Sequence, residues 1–283
     1  MAKTLRYKLI YNPFMQSLLS GWEWARAFVT YSRRARYHLI NYRRCLKLLE
    51  KVAKKPCEGK EVLEIGFGKD LGLLYLAYRA GATRCFGVDV ESLHPSNRKV
   101  LQSIDKLLKK KEWSDLSESL VRAPCVDEFL NSVIFHTPVG CEKLPFQDNS
   151  VDVIYSIACF EHLRSPEKAI SEMARVLRQG GLTFHIIDFM DHAYHGTLNF
   201  LEFDDIMTEK IFSGHRKSHY VNRWRTVDFL KAFQGNGINL ANRINTWVCD
   251  LRQNEIMKFD KRFRGMPVDE LEMMCVDFAA FKL

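Results

Sequence analysis

The sequence predicts an α/β protein built on a parallel sheet with helices on both faces. Two observations carry this. From about residue 61, short apolar runs alternate with helical stretches, and turn signals, often glycine, separate them. The composition, 47% hydrophobic and 27% charged over 283 residues, is that of an ordinary globular chain with one large domain or two small ones.

The elements follow in order. Residues 14–53 read as helix: no proline follows Pro13, and Leu18, Trp22, Ala25, Phe28 and Val29 recur at helical spacing. Arg33, Arg34, Arg36, Arg43 and Arg44 alternate there with Tyr31, Tyr37 and Tyr42. Lys54, Lys55 and Pro56 end this stretch, so residues 1–57 form a basic, aromatic helical arm or cap and residues 58–283 the body. "EVLEIG" (61–66) is a strand, "LGLLYLAYRAG" (71–81) a helix closed by Gly81, and "RCFGVDV" (84–90) a strand. A helix over 96–110 starts on a Ser cap. Strands follow at 132–137, 151–158 and 182–189, with a helix over 165–181 that has Pro at its start and Gly-Gly at its end. Residues 190–225 are a longer insertion on the substrate side; Phe200, Leu201 and Phe203 in it read as a lid or a small satellite core. Residues 226–236 are a helix, and "MCVDFAAFKL" (274–283) is the last strand. Ligands of such sheets sit beyond the carboxyl ends of the strands.

Charge is unevenly placed. Residues 1–60 hold 14 Lys/Arg and 3 Glu, net +11; the whole chain is +8, so the other 223 residues are net −3. A basic stretch can meet nucleic acid, anionic lipid or an acidic substrate. No apolar run reaches the roughly 18 residues of a membrane span, and no signal peptide opens the chain. The eight cysteines form no C-x-x-C pair, which predicts a reducing, cytoplasmic setting and no metal site.

The first strand runs into Gly66-x-Gly68-x-x-x-Gly72. Asp89 ends the next strand, 21 residues after Gly68, where an acid can accept from both hydroxyls of a ribose. No Walker lysine follows, which argues against a triphosphate. Leu71 stands where a dinucleotide site wants its third glycine, and the acids Glu64 and Asp70 suit a cationic ligand better than a pyrophosphate.

These residues resemble a known family. "VLEIGFG", "GVDV" and "EKLPFQDNSVDVIYSIACFEHLRSPEKAISEMARVLRQGG" are similar to class I S-adenosylmethionine-dependent methyltransferases of the methyltransferase type 11 kind, over about 61–190. The "LPF", "D-N-S-x-D", "EHL" and "RVL-x-x-GG" motifs are far more specific than the glycines. "HIIDFMDH", "NFLEF" and "YVNRWR" resemble a subset found with bacterial glycan and secondary-metabolite genes. The resemblance implies a doubly wound, mostly parallel seven-stranded sheet of the Rossmann-like methyltransferase fold, with S-adenosylmethionine as cofactor. It implies that Gly66 and Gly68 lie against the methionine part with Glu64 supporting the loop. Asp89 would take the ribose hydroxyls and Val90 border the adenine, with Cys141 and Glu142 beside it. The loop after Ser156, with Ile157, would close over the methyl end. Many members carry an Asp at the position of Gly140; here that contact to the adenine amino group is missing or comes from Glu142.

Methyl transfer to a hydroxyl benefits from a base near working pH, which favours His. The expected base is His192, with Asp188 or Asp191 orienting it and His195 close by; His162, beside Glu161, is the second choice. His185, inside its strand, reads as a core histidine. Tyr220, Asn222, Arg223 and Arg225 are expected to bind substrate, the arginines clamping a carboxylate or phosphate, or else to pair with Glu202, Asp204 and Asp205. The arm packs on the body, lies on a membrane surface or grips RNA. The expected function is methylation of a hydroxyl on a small molecule or glycan; the alternatives are an RNA methyltransferase and a non-catalytic cofactor-binding scaffold.

Overall fold

The structure is a computed structural model that describes residues 31–94, 97–192, 196–212 and 220–283. The expectations for residues 14–30, the Ser96 cap and His195 fall outside these. Helix α1 spans Tyr31–Leu49. The body then runs β1 (Glu61–Ile65), α2 (Gly72–Arg79), β2 (Arg84–Val88), α3 (Asn97–Leu108), α4 (Ser114–Glu118), α5 (Val126–Ser132) and β3 (Ile134–His136). It continues with β4 (Val151–Ile157), α6 (Pro166–Val176), β5 (Leu177–Asp188), α7 (Asp205–Phe212), α8 (Thr226–Gly235) and β6 (Ile238–Val248). Two short helices, α9 (Gln253–Ile256) and α10 (Val268–Leu271), precede β7 (Met273–Lys282).

The described strands form one seven-stranded sheet in the order β3-β2-β1-β4-β5-β7-β6. The first five strands are parallel; β7 runs antiparallel to β5, and β6 antiparallel to β7. This is the expected Rossmann-like sheet. Its central parallel strands β1 and β4 are buried on both faces, which is why "EVLEI" and "VDVIYSI" read as continuous apolar runs. The order reverses beside β1, so β1, β2 and β4 end around one crevice, where open α/β sheets hold ligands.

Three readings change. β6 was not read as a strand: "INLANRINTWV" is an edge strand with an exposed face and three register shifts, which erase its alternation. The helix read over 165–181 ends at Val176, because Leu177 pairs with Val151 and begins β5. The third strand starts later than expected, because residues through Ser132 complete α5.

Helix α1 belongs to the sheet's own core. Ala35, Leu39, Tyr42, Cys45, Leu48 and Leu49 are buried in the cluster that holds Leu74, Val153, Tyr155 and Phe184. Each such side chain contributes roughly 1.5–3 kcal/mol by leaving water. Its arginines meet acids of the body: Arg34 with Asp70, Arg36 with Glu112, Arg43 with Asp115 and Arg44 with Asp277. The basic helix α1 and the body are therefore partners. The exposed pairs add little stability, but Asp277 is buried and depends on Arg44.

Leu198, Phe200, Leu201, Ile211 and Val221 pack with Ile256, Phe259, Phe263 and Leu271 as a satellite core, with Phe203 against it. The insertion after β5 is thus tied to the segment before β7. No described helix is long and apolar enough to cross a membrane.

Candidate functional site

A cleft of about 360 Å³ opens at the carboxyl ends of β1, β2 and β4. Gly66, Gly68, Asp89, Val90, Gly140, Cys141 and Glu142 line it, all residues singled out from sequence. His162, the second-choice base, also lines it, with Glu91, Val139, Ala158, Cys159, Leu163 and Arg164. Most of these last six are strand-end neighbours of the expected residues, which only the fold identifies.

The glycines have separate reasons. Gly66 sits at φ 75°, and a Cβ there would lie 2.5 Å from the Cys159 sulfur. Gly68 sits at φ 64° with nothing within 4 Å of its would-be Cβ. Both are left-handed, a conformation only glycine adopts cheaply; Gly66 admits a neighbour and Gly68 keeps its side open. Ala158, at φ 46°, turns the chain at the end of β4 in the same strained region.

Asp89 ties the glycine turn to β2. Its Oδ2 accepts the Gly68 N–H at 2.7 Å and its Oδ1 the Glu91 N–H at 2.8 Å. Each oxygen keeps a lone pair for a hydroxyl. Burial holds its carboxyl above the usual range, against the backbone N–H groups of Glu91 and Gly68. Glu64 is buried beneath the turn. Burial pushes its carboxyl up to about 8, with Asp89 and Asp70 adding to the rise and the Leu74 backbone opposing it. Asp70 faces away from the cleft, toward α1: Arg34 pairs with it at 2.5 Å, and His38 lies 3.6 Å from it. Its charge is met within the chain, so it is not the ligand-facing acid expected from sequence. Glu142 Oε2 lies 2.6 Å from where a Cβ at Gly140 would begin. Its carboxylate fills the place an Asp side chain at 140 would enter.

Ser156 and Ile157 are buried in β4 and do not border the cleft; Ala158 and Cys159, the next two residues, do. The Ser156 hydroxyl is committed to His185 Nδ1 at 2.9 Å, while Thr183 Oγ1 meets His185 Nε2 at 2.5 Å. His185 is therefore the satisfied core histidine expected.

The proposed substrate clamp is not a clamp. Arg225 is fully buried and donates to the carbonyls of Phe189, Glu270, Leu271 and Met273. Arg223 donates to the Phe203 carbonyl and pairs with Asp205. Asn222 donates to the Phe160 and Leu163 carbonyls at 2.7 and 3.0 Å. Tyr220 offers its carbonyl to His162 Nδ1 at 2.7 Å. A polar run reads alike whether it faces water or feeds buried carbonyls. Here Tyr220 and Asn222 hold the turn after β4, while Arg223 and Arg225 tie down the insertion and the start of β7.

That turn and the end of β5 bring the catalytic candidates together. One ligand atom from each of Glu161, His162 and His192 lies within 4.8 Å of the others. The two imidazole rings meet edge to face at 4.9 Å. Asp188, at the end of β5, accepts the Met190 N–H, and Asp191 is buried beside it. Glu161 was read only as the neighbour of His162, yet it shares the cluster with both imidazoles.

The comparisons with known proteins find methyltransferases. A family model described as a methyltransferase domain matches residues 115–185. A sterol 4-C-methyltransferase of Caenorhabditis elegans is 31% identical over 70 residues, 22% of this chain and 21% of that protein. A norajmaline N-methyltransferase of Rauvolfia serpentina is 29% identical over 130 residues, 45% of this chain and 35% of that protein. The chain thus spans about a fifth to a third of the curated relatives it matches. A solved structure of geranyl diphosphate methyltransferase in complex with SAM is 13% identical, with TM-score 0.47 over 89% of this chain and 85% of that one. The family match bears out the resemblance to class I S-adenosylmethionine-dependent methyltransferases.

Proposed function

We propose that this chain is an S-adenosylmethionine-dependent methyltransferase that acts on a hydroxyl of a small molecule, glycan or secondary-metabolite precursor. One observation carries the reading: Gly66, Gly68, Asp89, Val90, Gly140, Cys141 and Glu142 converge on one cleft at the strand ends. The cofactor supplies an electrophilic methyl on a sulfonium. Asp89 accepts from the ribose hydroxyls, and Val90 and Cys141 flank the adenine. Glu142 takes the adenine amino group in place of the residue absent at Gly140. Gly66 and Gly68 let the methionine part approach the backbone, and Glu64 supports the turn beneath it.

The reacting end lies toward His162, at the edge of the cleft. Holding nucleophile and methyl in line supplies several kcal/mol, up to roughly 7–11 in well-oriented systems. The hydroxyl loses its proton at the imidazole pair, with His192 the expected acceptor and Glu161, Asp188 and Asp191 around it. The relatives named above act, by their names, on carbon and nitrogen; the hydroxyl acceptor proposed here rests on the imidazole pair. Helix α1 backs the site from the far side of the glycine turn, which it holds through Arg34 and Asp70. The insertion at 190–225 builds the acceptor side. The free state of all eight cysteines supports a cytoplasmic setting.

The test is methyl-labelled cofactor incubated with the chain and a cell extract. Label in a small-molecule or glycan fraction is expected. Label in RNA, or none despite cofactor binding, contradicts the proposal.

A further inference from the structure

We propose that Glu161, His162 and His192 bind one divalent first-row transition cation. The proposal departs from the expectation of no metal, which rested on cysteine spacing. Its ligands come instead from the turn after β4 and the loop after β5, neighbouring strands that end on the same side of the sheet.

Four observations point to a cation. First, the three side chains offer ligand atoms within 4.8 Å of one another. Second, Glu161 is 2% exposed, and no side chain among the described residues pairs with its carboxylate, which only the backbone N–H groups of Glu161 and Asp188 approach. Buried carboxylates are paired with a cationic group or bind a metal ion. Third, His162 Nδ1 lies 2.7 Å from the Tyr220 carbonyl. A carbonyl only accepts, so Nδ1 carries the hydrogen and Nε2 the lone pair. Metal-bound histidines are held this way. Fourth, Asn222 braces the turn on three sides: its amide holds the Phe160 and Leu163 carbonyls, and its backbone N–H donates to the Glu161 carbonyl at 2.9 Å. The turn that carries Glu161 and His162 is therefore set before any ion arrives.

Two imidazoles and one carboxylate suit zinc, cobalt, nickel or iron(II), and leave coordination positions for water or an acceptor oxygen. His162 borders the cleft, so that oxygen can come from a bound substrate. The catalytic use of the ion rests on the methyltransferase reading and sharpens it. A hydroxyl held by the cation gives its proton to water, its oxygen pair attacks the methyl carbon, and the C–S pair returns to sulfur. His162 and His192 then act as ligands of the cation, and with the ion bound water replaces His192 as the proton acceptor.

The test uses the untagged full chain, stripped with a chelator and titrated with Co²⁺ alone by calorimetry and visible absorption. One Co²⁺ per chain is expected. Glu161→Gln and His192→Ala should each weaken binding by about a hundredfold or more, with melting curves confirming that both fold. His192 lies on a partly exposed loop, so its variant keeps the test usable if Glu161→Gln unfolds the chain. No binding, equal binding in a folded variant, or the charge-transfer absorption of cysteine thiolates overturns the proposal. A parallel titration with S-adenosylmethionine separates the two claims. Cofactor binding without Co²⁺ binding defeats the cation site alone, and Co²⁺ binding without cofactor binding defeats the methyltransferase reading alone.

Discussion

Asp89 accepts the backbone N–H of Gly68 at 2.7 Å, so the acid that closes β2 also holds the glycine turn that closes β1. One carboxylate fixes the turn and faces the cleft. Asp89→Asn keeps the shape but sets an amide against that N–H and removes the charge from a ribose contact. We expect cofactor affinity to fall about 10- to 100-fold, which is 1.4–2.8 kcal/mol. Calorimetric titration of the variant with S-adenosylmethionine reads this directly; wild-type affinity would contradict it.

Glu64 should release a proton when the cofactor binds. Its carboxyl, held up to about 8 first by burial, is mostly protonated at pH 7. A sulfonium arriving at the turn above it favours the charged form. The binding enthalpy should then vary with the ionisation enthalpy of the buffer, and the variation should vanish in Glu64→Gln. Buffer-independent enthalpy in the wild type would rule out this coupling.

Acid should weaken the fold through His185. Burial pushes its pKa down from 6.5 to about 3, so the unfolded chain takes a proton in a range where the folded chain refuses it. Stability therefore falls as pH drops from 6.5 to about 3, by up to roughly 1.4 kcal/mol per unit. Glu64 acts with the opposite sign. The folded state keeps its proton up to about 8 while the unfolded chain loses it near 4.5, so stability falls as pH rises between them. The two effects oppose each other between 4.5 and 6.5. Denaturant unfolding at pH 4 and pH 7 isolates His185: the gap between wild type and His185→Gln should narrow by about 3 kcal/mol on acidification. A gap independent of pH would show that His185 is not held neutral.

Arg225 should behave as a structural residue. Its guanidinium spans four backbone carbonyls, and burial pulls its pKa down to about 10. Arg225→Lys cannot reproduce that fork and should cost about 3 kcal/mol or more in denaturant unfolding. A wild-type midpoint combined with weakened acceptor binding would restore the substrate clamp.

How much of this was legible follows from where each signal is stored. β1, β2 and β4 were readable because strands buried on both faces are apolar throughout. The cleft residues at 66, 68, 89 and 90 were readable because each stands at the end of such a run. β6 was not, because an exposed edge strand with broken register keeps no periodic trace. Arg223 takes the alternative expected for it, an ion pair with Asp205, whereas Arg225 was misread because residue type does not tell a solvated cation from one feeding buried carbonyls. Glu161 and His192 lie far apart in sequence, and only the pairing of β4 with β5 brings their loops together.

The central claim is that the cleft at the ends of β1, β2 and β4 holds an adenosyl sulfur compound. A crystal structure of the chain grown with S-adenosylhomocysteine tests it most directly. The account predicts the ribose on Asp89, the adenine between Val90 and Cys141 with its amino group toward Glu142, and the sulfur near Gly66. An empty cleft, or the compound bound elsewhere on the chain, would contradict it.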